Sequence, residues 1–448
     1  MHYKKFNLKI NNKILPFKKV IEVDSDKSLS IRSFLIGSIS QNISIVKNSL
    51  ESEDVKSTIL ACKKLGVKIK KIKPKTYKIY GKGLGSLVAK KNQTLNFSNS
   101  GTLARLLIGI LSTTPNIEIK IKGDHSLNKR SMKKLIDLMS NFGATFLPKF
   151  KKTFPLKLIS SRLPIGIKYK AGASAQLKSA VILAGLNSFG DTEVVELESS
   201  RDHTENLLAK NSQVIKIRRG SIKVIKIIGK KFLNPLKISI NGDPSSAAFF
   251  TALTLLNKDS SLKIKNVGLN PTRIGFYEIL KKQKAKIKFQ NVRKKNNEIV
   301  GDILVKSCKL KPLKVPANMY PKTTDEYLIL FVIAALIKGR SSFKGISDLA
   351  NKESSRAYEM KKILSQVGIK SKLGKNEMVI FGKGIINANT KNIKVGNLGD
   401  HRVAMCAFIL SILTNARANI KNFETVFTSS PSFLKIMKEL GAKFEIKK

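Results

Sequence analysis

The residues able to do chemistry sit in short clusters spread along the chain. In DKSLSIR, Lys27, Ser28 and Arg32 fall at a helix start, with both cations within reach of one anionic ligand. Lysine is a mobile point charge that can also donate a proton, whereas arginine stays cationic and clamps an oxyanion. A solvated basic helix is the plainer alternative, but Leu29, Phe34, Leu35 and Ile36 bury much of the segment. In NSGTLARLL, Asn99 to Thr102 form a small-residue approach where backbone can meet a phosphate, or simply a helix cap. Arg130, after a Gly-Asp turn, reads equally well as an exposed arginine. Further along, Asp325 and Glu326 open an oily helix, and Lys352, Glu353 and Arg356 follow the next strand. Carboxylates beside cations suit proton transfer on an anionic substrate, provided a closed site desolvates them, because the cations otherwise hold their pKa low.

Two interleaved patterns must position these residues. One is an amphipathic stretch ending in glycine before a short apolar strand, at Gly66, Gly143, Gly368 and Gly441. Segments around Ser212 and Lys284 fill the same slot without glycine. The slots recur roughly every 70 to 85 residues and read as helix, left-handed cap, strand. The other pattern is a small or acidic cluster opening an almost wholly apolar helix. It begins at Asp26, Asn99, Ser174, Asp243, Thr323 and Gly399, as N-cap chemistry followed by a helix that must be buried. Six such repeats predict an α/β protein of two pseudo-symmetric domains with three units each. Each start is by itself an ordinary capped core helix. Six in register, several carrying Lys or Arg in the first turn, predict a funnel of helix N-termini for anions.

Length and composition narrow the classes. At 448 residues the chain suits two domains of roughly 200 residues. The N-terminus lacks the apolar region of a signal peptide, and the apolar run Tyr327 to Ile337 is too short to span a bilayer. Cys62, Cys308 and Cys406 are odd in number and widely spaced, and the four histidines form no metal-ligand pattern. A cytoplasmic monomer without metal or cofactor is expected. The formal charge of +54 suggests a nucleic-acid partner. However, the lysines are dispersed and aromatics are only 7%, so we expect no specific nucleic acid and no membrane. The charge reads as compositional bias on solvated faces that still concentrates small anions.

The ordered set of motifs resembles the 5-enolpyruvylshikimate-3-phosphate synthase family across nearly the whole chain. It comprises DKSLSIR (26–32), NSGTLARLL (99–107), GDHSLNKRSM (123–132), SAQLKSAVILAGL (174–186), SRDHTE (200–205), GDPSSAAFF (242–250), NPTRIG (270–275), DE (325–326), KESSR (352–356) and GDHRVAM (399–405). The resemblance implies an inside-out α/β barrel in each domain, built from βαβαββ-type units, with a cleft between the domains. It implies an inserted domain over 26–240 and a discontinuous one over 1–25 and 241–448. The implied reaction moves the enolpyruvyl group of phosphoenolpyruvate onto the 5-hydroxyl of shikimate 3-phosphate, through a tetrahedral ketal.

Residue roles follow from the same resemblance. Lys27, Ser28, Arg32, Ser174, Ala175, Gln176, Arg201, Asp325 and Lys352 are implied to bind shikimate 3-phosphate. Lys27, Asn99, Gly101, Arg130, Gln176, Arg356 and Arg402 are implied to bind phosphoenolpyruvate. Asp325 would accept the hydroxyl proton, Glu353 would exchange the proton at the methylene carbon, and Lys27 would assist the departing phosphate. Gly101 leaves room beside the enol acid, so inhibition by glyphosate is expected. His203 reads as structural. The chain departs from the family pattern at Ser25, Ile31, Ser131, Ala350, Ser355, Thr428 and Ser430, and none of these removes an implied catalytic group. The related transferase with a UDP-sugar acceptor would need a Lys-Asn pair and a reactive loop cysteine. Here Ser28 follows Lys27, and Cys62 lies on an amphipathic helix that buries it. A basic nucleic-acid binder and a non-catalytic relative are the remaining alternatives.

Overall fold

The computed structural model describes residues 5–447; residues 1–4 and 448, the outer ends of the expected discontinuous domain and the start of the N-terminal reading, lie outside the described residues. Six helices are buried on nearly all sides: Lys27–Ile39, Gly101–Thr113, Ala175–Gly185, Pro244–Leu256, Tyr327–Ala335 and His401–Thr414. Their lack of a polar face forces this, since an all-apolar helix has nowhere to go but a core. Five are capped by a side chain of the expected cluster, at Asp26, Ser174 and Asp243 the first residue of it and at Ser100 and Asp400 the second. Asp26 accepts from Leu29 N, Ser100 from Leu103 N, Ser174 from Leu177 N, Asp243 from Ser245 N and Asp400 from Arg402 N. The fifth helix differs. Thr323 ends a separate short helix, Tyr320–Thr323, and Glu326 occupies the cap position without capping through its side chain.

Around the buried helices lie six four-stranded sheets with one plan. In the first, Lys237–Ser239 runs parallel to Ile43–Lys47, which pairs antiparallel with Thr76–Tyr80 and through it with Lys68–Lys73. The parallel pair followed by an antiparallel partner recurs in all six. Each repeat is built on strand, helix, strand, helix, strand, strand, with an extra short helix in the second (His125–Lys129) and the fifth (Tyr320–Thr323); the sixth is completed from the chain start, where Asn7–Ile10 pairs with Arg417–Ile420 and Glu445–Lys447. This is the α/β class the repeats predict.

Gly66, Gly143, Gly368 and Gly441 close the amphipathic helices with φ of +85°, +90°, +76° and +94°. Lys284 adopts the same left-handed conformation, φ +59°, without being glycine. By contacts the chain divides into two compact units. One comprises Met1–Asp24, Asn241–Lys294 and Ile299–Lys448; the other comprises Ser25–Ile240 and Lys295–Glu298. Each has its own apolar core. In the second unit, Gly109 lets the Gly101–Thr113 and Ala175–Gly185 helices touch, because a Cβ there would lie 2.5 Å from the Ala180 carbonyl oxygen.

Candidate active site

In the unit holding Ser25–Ile240, the starts of three buried helices are tied to one another. Gln176 donates to Thr102 Oγ1 at 3.0 Å and accepts from Arg105 Nη1 at 2.9 Å, joining the second and third helices. Arg32, 3% exposed, donates from Nε to Thr204 Oγ1 at 2.9 Å and from Nη2 to Ser179 Oγ at 3.2 Å, joining the first to the third. A further Arg32 nitrogen reaches the Ser28 carbonyl at 3.2 Å. Arg130 ends the five-residue helix His125–Lys129 rather than a simple turn, and donates to Asn99 Oδ1 at 2.5 Å. A Cβ on Gly101 would lie 2.8 Å from Arg105 Nη1 and 3.2 Å from Arg130 Nη1, which places both guanidiniums over that glycine. Ser174 caps the third helix and Ala175 is its first residue. Arg201 is partly buried just ahead of the helix His203–Leu208. Lys27 is the first residue of its helix and pairs with Asp54 Oδ2 at 3.1 Å.

The other unit gathers the carboxylates. Arg356, 2% exposed, opens the helix Arg356–Gln366 and meets three of them. Its Nε donates to Asp400 Oδ2 at 2.9 Å, Nη2 meets Glu353 Oε2 at 2.5 Å, and Nη1 lies 3.8 Å from Asp325 Oδ1. Burial works against the guanidinium's charge, but Asp400, Glu353 and Asp325 outweigh it and raise its pKa. Arg402 adds a second cation: its Nε is 3.4 Å from Asp325 Oδ1 and its Nη1 donates to the Asp325 carbonyl at 3.1 Å. Thus Asp325, the neighbours Glu353 and Arg356, and Arg402, from three separate stretches of the chain, form one cluster of alternating charge. Lys352 instead pairs with Asp348, which also accepts from Tyr320 OH at 3.0 Å.

This unit's helix starts are tied in the same way. Ser245 donates to Glu326, and Arg273 of the NPTR motif donates to Asp243 Oδ1 at 3.1 Å and Ser245 Oγ at 2.9 Å. Arg402 links the sixth helix to Asp325 at the start of the fifth. Each unit therefore presents a trio of helix N-termini laced with charge.

Three partners escaped the sequence reading: Asp400, Arg105 and Asp54. The first two lie inside the quoted motifs, where a charge beside a cap could have flagged them; Asp54 has no local signal. Cys62 is 1% exposed, and burial pushes its thiol up to about 11, away from the reactive thiolate. His203 is buried with Nδ1 2.8 Å from Glu298 Oε1. Among the described residues, no three His, Cys, Asp or Glu side chains form a metal-binding group, and no helix is long and apolar enough to cross a membrane.

The model of the EPSP synthase (3-phosphoshikimate 1-carboxyvinyltransferase) family matches residues 12–437. The 3-phosphoshikimate 1-carboxyvinyltransferase of Zymomonas mobilis is 35% identical over 441 residues, spanning 98% of this chain and 97% of that one. That of Petrotoga mobilis is 37% identical over 429 residues, spanning 94% and 96%. The solved EPSP synthase from Acinetobacter baumannii matches with a TM-score of 0.85 at 32% identity, over 99% of this chain and all of that chain (100%). The enolpyruvyl transferase NikO from Streptomyces tendae matches at 0.75 with 12% identity, over 99% and 98%, a likeness of fold alone.

Proposed function

The chain belongs to the EPSP synthase (3-phosphoshikimate 1-carboxyvinyltransferase) family and is an enolpyruvyl transferase of the shikimate pathway; from there we propose how its own residues run the reaction. The enolpyruvyl group of phosphoenolpyruvate passes to the 5-hydroxyl of shikimate 3-phosphate by addition and elimination. In the addition, Asp325 takes the hydroxyl proton as the oxygen bonds to C2 of phosphoenolpyruvate, and Glu353 protonates the methylene carbon. In the elimination, Glu353 takes a proton back from that carbon, the C2–O bond to phosphate breaks, and Lys27 stabilises the departing phosphate. The intermediate between them is a tetrahedral ketal, so no metal or cofactor enters. The rate then rests on positioning and proton transfer.

The observation that carries this reading is the sharing of buried Arg356 by Glu353, Asp325 and Asp400. The carboxylate of phosphoenolpyruvate is chemically the same kind of partner as Glu353. By taking its place on Arg356, and meeting Arg402 as well, the substrate frees Glu353 to exchange a proton. Asn99, Gly101, Arg130 and Gln176 complete the phosphoenolpyruvate site. Ser28, Arg32, Ser174, Ala175, Gln176, Arg201 and Lys352 hold shikimate 3-phosphate. In this reading 26–240 is an inserted domain, 1–25 with 241–448 is the discontinuous one, and closure on shikimate 3-phosphate joins their half-sites and excludes water. The enzyme works as a cytoplasmic monomer and is inhibited by glyphosate.

A coupled assay of phosphate release tests it. Release should require both substrates, and Glu353→Ala should lower kcat by about 100-fold or more while leaving the fold intact. Release without shikimate 3-phosphate, or an unchanged Glu353→Ala, contradicts the proposal.

A further inference from the structure

In the unit that holds Arg201, three buried charged side chains and one half-buried lysine gather outside the groups used above. Lys178 is fully buried, 0% exposed, with Nζ 2.6 Å from Glu196 Oε1 and 2.7 Å from Glu205 Oε1. Its third donor reaches the Ser200 carbonyl at 3.4 Å. Lys223 closes the cluster, 2.9 Å from Glu196 Oε2 and 3.3 Å from Glu205 Oε1. Two cations and two carboxylates balance. Such a cluster is weak as a source of stability, since apolar residues of the same volume serve about as well. What it supplies is geometry.

That geometry converges on Ser200, the residue before Arg201. Glu196 Oε1 accepts from both the Ser200 amide and the Ser200 hydroxyl at 2.8 Å, while Lys178 donates to the Ser200 carbonyl. All polar groups of Ser200 are thereby held by the cluster. Three residues after Arg201, Thr204 donates to Ser179 Oγ at 2.8 Å and accepts from Arg32. Lys178 and Ser179 are neighbours on the Ala175–Gly185 helix, two residues past Gln176. One helix thus pins both ends of the segment that carries Arg201. Glu205, in the helix that follows, is gripped by Lys178 and Lys223.

We propose that Lys178, Glu196, Glu205 and Lys223 are positioning residues that fix the Ser200–Thr204 segment, so that Arg201 meets the phosphate of the acceptor substrate, and Arg32 its shikimate portion, without reordering. The proposal rests on the assignment of shikimate 3-phosphate to this half of the site. A cation held in place loses little freedom on binding, so loosening it should weaken affinity for the acceptor and spare the chemical step.

The test uses the full chain and two variants. Ser200→Ala removes one hydroxyl from the anchor and leaves all four charges in place; Lys178→Met removes the central cation at similar length. Shikimate 3-phosphate binding is measured by calorimetry, and KM for each substrate and kcat by phosphate release. We expect Kd and KM for shikimate 3-phosphate to rise about threefold in Ser200→Ala and about tenfold or more in Lys178→Met. The KM for phosphoenolpyruvate should stay level in Ser200→Ala, and its kcat at saturation should be unchanged. If Lys178→Met fails to fold, Ser200→Ala still decides. Wild-type affinity in Ser200→Ala, or an equal rise in both KM values, overturns the positioning role. Failure of the wild-type chain to bind shikimate 3-phosphate overturns instead the substrate assignment, and this proposal with it.

Discussion

Asp400 holds Arg356 with one carboxylate oxygen, at 2.9 Å from Nε, while its other oxygen accepts from the amide of Arg402 at 3.0 Å. A single side chain therefore caps a buried helix and neutralises a buried cation. The two jobs can be separated. Asparagine is as good a cap as aspartate but carries no charge. Asp400→Asn should cost roughly 1.5 to 3 kcal/mol, the range for a hydrogen bond to a charged group, and should raise KM for phosphoenolpyruvate. Asp400→Ala should cost about 1 kcal/mol more, the worth of the cap. Urea unfolding of both variants measures the difference. Equal losses would mean the cap contributes nothing here.

The motif strings made much of this legible. Buried helices, their caps and the glycine turns follow from local rules, because an all-apolar helix and a left-handed cap leave few alternatives. The pairing of Asp400 with Arg356 could not be read, because 43 intervening residues carry no trace of which carboxylate a buried arginine selects. Asp54 was invisible for the same reason: it reads as an ordinary first-turn acid of the helix Glu53–Lys64, and only packing brings it to Lys27. Thr323 reads as the start of the apolar helix because a threonine before acidic residues looks like a cap, whereas it ends the separate helix Tyr320–Thr323.

At Gly101 the space is already taken. An alanine methyl would stand 2.8 Å from Arg105 Nη1 and 3.2 Å from Arg130 Nη1. Both contacts are with ends of flexible side chains, so the fold should survive while the guanidiniums shift. We expect Gly101→Ala to keep its unfolding free energy within about 1 kcal/mol, to raise KM for phosphoenolpyruvate several-fold and to tolerate more glyphosate than the unaltered enzyme. Inhibition curves with and without the substitution check this. An unaltered enzyme indifferent to millimolar glyphosate would contradict the assignment of this glycine.

Lys284 offers a stabilising change. It holds φ +59° where four equivalent helix ends carry glycine. A side chain in that conformation costs roughly 1 kcal/mol that glycine avoids. Lys284→Gly should therefore raise stability by about that amount in chemical denaturation, with kcat unchanged. A loss of stability would show that the lysine side chain contributes more than its backbone costs.

Glu196 ties stability to pH. Burial alone would raise its pKa, but Lys178 and Lys223 outweigh that and hold it at about 2, down from 4.5. Its folded pKa is depressed, so the unfolded chain binds the proton more readily in that window. The contribution is therefore complete above pH 4.5 and lost as pH falls towards 2. The shift corresponds to roughly 3 kcal/mol. The formal charge of +54 also destabilises the folded chain in acid, through repulsion that added salt screens. A pair with 0% exposure is screened far less. Unfolding free energies between pH 5 and 2, taken at low and high salt, should keep a steep salt-resistant slope that Glu196→Gln flattens. A slope abolished by salt alone would mean that overall repulsion, not this carboxylate, governs acid unfolding.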